Sequence, residues 1–443
     1  MLRRAVSLNV GGQLAGFAVS FVSAIMLARF LGPSDRGLLA IMVTAATVSV
    51  GLAGAGLATS AQYFASRKGT SQAALLGNTL AFGLVLGIVF VPLFWLLSGR
   101  LSAWLGHGHG GLLWVLAGVL VPLVLLDMTS AGQLCGQLRF GLWNGLLVAA
   151  RTVTLFAVAV LVGVLALGVG GALVATGLGS VLVIAVSSAT VLRRGRPRLD
   201  RRLFADELRY GAKAQVGQLF QFLNYRLDLV MLTLFGSLSA VGYYAVAQTL
   251  AELVIYLGTA FQISLLPLIS QLEGDARQHE TSRAAVRHHS VLALVVIAVN
   301  AVFVPLVLLV GYGPEFRPAL VPVFILLPAM WFLGTGNLIS GDLRGRGRPG
   351  LASAVKGAAA VVTVILDFAL IPVLGVVGAA IASTVAYAFF GLGSLVVLSR
   401  VSGVPVRELV VPSRADLALY PRGARSLVAR LRRPSGGPVA AAS

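Results

Sequence analysis

Residues 132–142 read GQLCGQLRFGL and residues 341–351 read GDLRGRGRPGL. The shared pattern, G-x-L-x-G-x-x-R-x-G-L, recurs 209 positions apart in a chain of 443 residues. Two further pairs accompany it. LGVGGALVAT at 167–176 matches LGVVGAAIAS at 374–383, an offset of 207, and LGPSDRGLLA at 31–40 loosely matches FGSLSAVGYYA at 235–245, an offset near 204. With 52 glycines in the chain, any one of these matches could come from composition. Three in the same order at a nearly constant offset indicate an internal duplication, the mark of many transporter folds.

The chain is 58% hydrophobic and only 11% charged, with a mean hydropathy of +0.92. Apolar runs recur along the whole length, each long enough to cross about 30 Å of hydrocarbon as a helix. They lack the short alternating pattern of an outer-membrane barrel, and a helix satisfies its own backbone in lipid. The expected fold is therefore an all-α polytopic membrane protein. Twelve spans are expected, at roughly 8–30, 38–60, 76–98, 112–131, 145–167, 171–192, 211–235, 242–268, 289–311, 319–340, 351–372 and 376–399. Arg3 and Arg4 before an apolar stretch resemble a signal peptide, but further spans follow at once, so an uncleaved first span is expected. Six spans per half return the chain to its starting side. The halves are then parallel repeats, two six-helix bundles related by a pseudo-twofold axis along the membrane normal. The expected divisions are 1–192, a basic linker at 193–210, 211–400, and a basic tail at 401–443. Within that tail GARSLVARLRR could lie as an interfacial helix or stay disordered.

The formal net charge of +19 could suggest nucleic acid. Its distribution points elsewhere. With both termini in the cytoplasm, 28 of the 34 Lys and Arg residues face that side, Arg29, Arg36, Arg100 and Arg317 face outward, and Arg151 and Arg226 lie inside spans. That is the positive-inside pattern of a cytoplasmic membrane protein, and the linker RRGRPRLDRR at 193–202 would border anionic lipid. Cys135 is the only cysteine, so no intrachain disulfide forms. His107 and His109 in HGHG lack further ligands, and no metal site is expected. Arg139 and Arg348 occupy matching positions on cytoplasmic loops, where the glycines would shape a tight turn rather than touch substrate.

Charges and amides inside a span are costly and face water or partners instead of lipid. In span one, Asn9, Gln13, Gly16, Ser20 and Ser23 share one helical face; in the equivalent span seven, Gln218, Gln221, Tyr225 and Asp228 do so, with Asn224 at the edge. Two such stripes suit a polar cleft between the halves, though helix–helix packing by small and amide residues would give them too. Arg226 points away from Asp228 and must find another partner. Span eight aligns Gln248, Glu252, Thr259 and Gln262; span eleven aligns Lys356, Thr363 and Asp367; span five aligns Asn144 and Arg151. Asp127, in span four, could pair with Arg151.

LARFLGPSDRGLLA resembles the first-loop pattern of polysaccharide flippases in the multidrug/oligosaccharidyl-lipid/polysaccharide exporter superfamily. VGYYAVAQTLAE, SLLPLIS and LIPVLGVVGAAIAS at 370–383 resemble later motifs of the same family. The likeness runs over roughly residues 5–400. It implies an alternating-access fold like that of the superfamily's drug exporters, with no enzyme activity. It also implies export of undecaprenyl-diphosphate-linked oligosaccharide across a bacterial cytoplasmic membrane, with membrane lipid, a polysaccharide polymerase or glycosyltransferases as partners. A diphosphate suits cationic groups. The residues nearest that role are Arg151 and Arg226, with Lys213 and Lys356 toward the cytoplasmic mouth and Arg29 at the outer exit, and Gln13, Ser20, Gln218, Gln221, Asn224 and Tyr225 for sugar hydroxyls. Asp127, Asp228, Glu252 and Asp367 are the candidates for coupling to H+ or Na+, with no other cofactor. A cation-coupled drug antiporter of the same superfamily is the nearest rival. A membrane polymerase or transferase would need a catalytic loop, and GRGRPG at 345–350 lacks the lysine and context of a phosphate loop.

Overall fold

The computed structural model describes residues 2–67, 69–193, 195–255, 269 and 274–413, so the tail beyond 413 and the end of span eight lie outside the described residues. The elements are α1 (Leu2–Ala53), α2 (Leu57–Ser66), α3 (Gln72–Leu96), α4 (Ser98–Trp104), α5 (Leu113–Gly136), α6 (Phe140–Val158), α7 (Gly168–Leu192), α8 (Arg201–Phe235), α9 (Leu238–Ala251), α10 (Asp275–Leu306), α11 (Leu320–Gly345), α12 (Pro349–Ser402) and α13 (Val406–Val410). No strand occurs among the described residues. Nine of the helical stretches there are long and apolar enough to cross a membrane. Two of these are really pairs: α1 breaks at Gly32 (φ 70°, ψ 178°) and α12 at Gly375 (φ 55°, ψ −127°). The helix resumes at Pro33, which has no N–H to leave unpaired in a first turn. α8 is not one of the nine, because polar groups including Asn224, Arg226 and Asp228 lower its hydropathy.

The lipid-facing surface identifies itself. On α3, Leu84, Val85, Ile88, Val89 and Leu96 are exposed, and on the equivalent α10 so are Leu294, Val295, Val299, Val302, Phe303 and Leu306. Apolar side chains at three- and four-residue spacing with no protein cover are what hydrocarbon contact requires. The chain is a multi-pass membrane protein. Its two largest apolar clusters divide by halves: one joins residues from Leu38 to Ala175, the other residues from Leu229 to Phe390, with Leu238 and Ala28 as their single members from the opposite half.

The repeated motifs adopt the same backbone in both copies. Leu138 (φ 58°) and Gly347 (φ 72°) are equivalent left-handed positions. Around them Gln137 N–H donates to the Gln133 carbonyl (3.1 Å) and Arg139 N–H to that of Leu134 (3.0 Å); Arg346 N–H donates to Asp342 (3.0 Å) and Arg348 N–H to Leu343 (2.8 Å). The pattern is a helix C-cap, and the arginines at 139 and 348 follow it as the first residues of the next descent. In the second copy the turn is braced further. Arg346 Nε donates to Asp342 Oδ2 at 2.8 Å, and Ser282 on α10 donates to Asp342 Oδ1 at 2.6 Å. Gly168 and Gly375 likewise share φ 55°.

Two ends of the molecule follow from this layout. The turns near Gly32, His107, Gly168, Gly236 and Gly313 mark one end, called the gate end below. The turns at 137–139 and 346–348 and the segment 195–200 mark the other, the linker end. At the gate end the halves meet reciprocally. A Cβ added at Gly37 would lie 1.8 Å from the Leu238 carbonyl oxygen, and one at Gly242 would lie 2.0 Å from that of Pro33. Leu238 and Gly242 follow Pro33 and Gly37 by 205 positions. Each half thus offers the same carbonyl and the same glycine to the other, as a twofold relation demands. Arg29 Nε donates to the Gly311 carbonyl at 2.6 Å and its Nη2 to that of Val310, and the His107 ring lies 2.8 Å (Nε2) from the Thr233 carbonyl.

The basic linker is shorter than 193–210. Asp200 caps α8 by accepting from Arg202 N–H (3.1 Å) and Leu203 N–H (3.0 Å), so helix begins at 201. The extended stretch before it lies on α3: Arg198 N–H donates to the Ala73 carbonyl, and Asn78 Oδ1 accepts from Asp200 N–H at 3.0 Å. Asn78 Nδ2 donates to Glu207 at 2.9 Å. Burial pushes the Glu207 carboxyl up to about 7, the charge on Asp200 acting the same way and the Asn78 hydrogen bond opposing it.

Candidate functional site, a charged cavity between the halves

α1 and α6 approach closely where small residues permit it. Gly12 faces Asn144 and Gly16 faces Leu147 and Arg151. Above that contact the helices part, and the gap becomes a cavity of about 440 Å³. That volume lies in the range of roughly 300–1,000 Å³ usual for small-molecule sites. α1 supplies Phe17, Ser20, Phe21, Ser23 and, past its kink, Arg36; α5 supplies Asp127; α6 supplies Trp143, Arg151 and Thr154; α7 supplies Thr176 and Ser180; α9 closes the wall with Thr249 and, just past its end, Glu252. Only α9 comes from the second half, so the cavity is largely carved from the first half and lidded by the second.

Its charges are separate. Arg151 Nη1 donates to Ser20 Oγ, while Asp127 Oδ2 accepts from Ser180 Oγ at 3.2 Å. The two face one space without closing an ion pair. Arg36 Nε and Arg151 Nε are buried with no hydrogen-bond partner among the described residues. Leaving such a donor unmet costs about 1–3 kcal/mol, so both guanidinium groups gain from an acceptor entering the cavity. Phe17 and Phe21 stack at 5.8 Å on the same wall and, with Trp143, give it an aromatic side.

The residues expected at the site do not all meet at this cavity. Ser20, Arg151, Asp127 and Glu252 line this cavity. Gln13 is half-buried on α1 and is not among its lining residues. Arg29 belongs to the gate-end contact. The described part of the stripe on α8 turns inward to its own half. Asp228 is buried there, accepting from Tyr244 OH (2.6 Å), Gln248 Nε2 (3.0 Å) and Ser383 Oγ (3.2 Å). Asn224 accepts from Thr363 Oγ1 at 2.8 Å, and Tyr225 OH accepts from Asn337 Nδ2 at 3.2 Å. With Lys356, Asn224 and Tyr225 border a small void of about 10 Å³ within the second half. Asp367 is buried nearby, and neither of its carboxylate oxygens has a hydrogen-bond partner among the described residues. Arg226 lies within electrostatic reach of Glu252, Asp228 and Arg36. The side chains of Asn9, Lys213, Gln218 and Gln221, and the residues Thr259 and Gln262, lie outside the described residues.

Arg36 is the cavity residue the sequence reading placed elsewhere, on an outer loop. Its span was begun at 38. The signal was available: Gly-Pro at 32–33 is a helix start, which puts Arg36 on the first turn and not before it. Among the described residues no group of three or more His, Cys, Asp or Glu side chains could hold a metal ion.

Residues 26–321 match the model of a family described as "Polysaccharide biosynthesis protein". The chain belongs to that family. Among its relatives, the "Probable low-salt glycan biosynthesis flippase Agl15" of Haloferax volcanii is 25% identical over 370 residues, 74% of this chain and 76% of the relative. The "Probable flippase AglR" of the same organism is 31% identical over 162 residues, 35% of this chain and 34% of the relative. A membrane protein of Methanocaldococcus jannaschii is 26% identical over 192 residues, and the match takes in 38% of its length. Two solved structures share the fold. The lipid II flippase MurJ in an inward closed conformation aligns with a TM-score of 0.75 at 12% identity, over 97% of this chain and 94% of that one. An inward-facing multidrug transporter of the MATE family, of the MOP superfamily, aligns with a TM-score of 0.73 at 17% identity, over 88% and 95%. In this family member the paired motifs of the two halves are therefore parts of one frame that has the fold of these transporters, and the cavity lies where α9 of the second half meets the first.

Proposed function

We propose that this protein is a flippase that carries a polyprenyl-diphosphate-linked oligosaccharide across the cytoplasmic membrane by alternating access, with its linker end and both termini in the cytoplasm. The observation that carries this reading is the pair Arg36 and Arg151, whose buried Nε donors face a cavity between the halves. A diphosphate offers acceptors that suit two guanidinium forks. Ser20, Ser23, Thr154, Thr176 and Thr249 supply hydroxyls for sugars, and Trp143 and Phe17 supply faces against which a pyranose ring can rest. The polyprenyl tail would stay in lipid while the headgroup crosses. Rocking of one half against the other would change the side of access. Relatives named as flippases support the substrate class, with a polymerase or glycosyltransferase working on the same glycan as a natural partner.

Coupling to a cation gradient is part of the proposal. Asp367, with both oxygens unmatched beside the Asp228 cluster, is the place in the second half where an H+ or Na+ would be held. A second reading, a cation-coupled drug antiporter, draws on Asp127 and Glu252, which put two carboxylates on the central cavity. One experiment separates them. In proteoliposomes the flippase reading expects protein-dependent transfer of a fluorescent polyprenyl-diphosphate sugar between leaflets, altered by an imposed H+ or Na+ gradient, and no uptake of a lipophilic cationic dye. Dye transport without lipid flipping would favour the antiporter.

A further inference from the structure

At the linker end, away from the central cavity, lies a second pocket of about 480 Å³. Arg67, Arg198, Thr70 and Ser71 line it, together with the apolar Phe64 and Leu203. Arg67 belongs to the loop after α2, in the first half. Arg198 belongs to the extended segment that leads to the second half. The pocket therefore joins two parts of the chain that are 131 positions apart.

Its charges are available for a ligand. Neither guanidinium takes part in an ion pair or hydrogen bond among the described residues; Arg67 lies over the Tyr63 ring at 5.4 Å, a cation–π contact that uses none of its N–H donors. The one carboxylate in the pocket, Asp200, is engaged through Oδ1 with two backbone N–H groups of α8. Thr70 and Ser71 add two hydroxyl donors. Phe64 belongs to an apolar cluster with Ala65 and Leu75, against which Leu203 packs, so the lining is part apolar and part basic. The pocket opens beside the first turn of α3, a membrane-length helix, and so lies at the level where hydrocarbon gives way to headgroups.

We propose that this pocket binds a phosphate group, held between Arg67 and Arg198, and that binding fastens the inter-half segment to the first half. The chemistry fits an anionic phospholipid headgroup or a free phosphate. A planar fork from each arginine and two hydroxyls match tetrahedral phosphate oxygens. Fastening matters because Arg198 N–H is itself bonded to Ala73 and a Cβ at Gly77 would meet the Arg198 carbonyl at 2.3 Å, so the segment already rests on α3 with no room to spare.

Hydrogen exchange of residues 195–200 in nanodiscs reads the fastening directly. Three arms distinguish the source: phosphatidylcholine alone, phosphatidylcholine with added inorganic phosphate, and a mixture rich in phosphatidylglycerol. Exchange is expected to slow about 10- to 150-fold where the ligand is present, the worth of one added charge-assisted bond. The arm in which it slows identifies lipid or free phosphate. The slowing should vanish in Arg67→Gln/Arg198→Gln, whose side chains are exposed and whose loss leaves the core intact. It should persist in Arg201→Gln/Arg202→Gln, which removes the same charge from exposed positions that do not line the pocket. No slowing in any arm, or slowing that survives the Arg67/Arg198 substitutions, would overturn the site.

Discussion

Replacing Gly37 by alanine is expected to open the gate end and abolish most transport while leaving the protein folded. The new Cβ would lie 1.8 Å from the carbonyl oxygen of Leu238, and the neighbour is backbone, which cannot rotate away. α1 and α9 must separate there. Overpacking of this kind costs about 1–3 kcal/mol, which against a two-state gate is roughly a 5- to 150-fold shift away from the closed form. The reciprocal change Gly242→Ala, 2.0 Å from the Pro33 carbonyl, should act in the same direction by a similar amount, because the two contacts are symmetry mates. Gly141→Ala serves as the control, since nothing lies within 4 Å of its added Cβ. Spin-label distances across the gate end check this, and an unchanged distance distribution in Gly37→Ala would mean that the contact does not hold the gate. The closed end has other fastenings, the Arg29 and His107 bonds to carbonyls of the second half. None of them is as unforgiving as two backbones in van der Waals contact.

Loss of either cavity arginine is the second large effect. A hydrogen bond to a charged group is worth about 1.5–3 kcal/mol, so Arg36→Gln or Arg151→Gln should each weaken binding of a diphosphate headgroup roughly 10- to 150-fold. Lysine at either position should recover part of this, keeping the charge but losing the planar fork. Arg151 needs one further control. Its removal leaves Asp127 without the nearby cation it faces, so Asp127→Asn should be combined with Arg151→Gln; a binding defect that remains belongs to the arginine itself. Titration with a short-chain polyprenyl diphosphate in detergent measures the change. Affinity within twofold of wild type for both arginine variants would remove the cavity from the headgroup's path.

The duplication was legible because it is written in glycine and proline, the residues that dictate backbone. Leu138/Gly347 and Gly168/Gly375 share positive φ at the offsets the motifs share. The lipid-facing surface was legible for a related reason, since hydrocarbon demands an apolar stripe. Which face of a polar helix meets which neighbour was not. Helical spacing grouped Tyr225 and Asp228 correctly on one side of α8, but periodicity carries no information on whether that side meets a central cavity or the helix's own bundle. The hydroxyls and amides of Tyr244, Gln248 and Ser383, remote in sequence, decide it. Arg36 was hidden by a span edge set five residues after the true helix start at Pro33. Arg151 was found because a lone arginine in an apolar run has few places to go, and the structure gives it Ser20 and the cavity.

The central claim is that Ser20 and Thr249 face one water-filled space whose access alternates between the two membrane sides. Single cysteines at these positions, in a Cys135→Ser background, test it with a membrane-impermeant thiol reagent applied from one side or the other. Alternating access predicts that both positions react from the linker side in the gate-closed wild type. Both should become reactive from the gate side when Gly37→Ala opens it. Cysteines that stay unreactive from both sides in both backgrounds would contradict the claim, because the space between the halves would then be dry and the charges on its walls would serve packing alone.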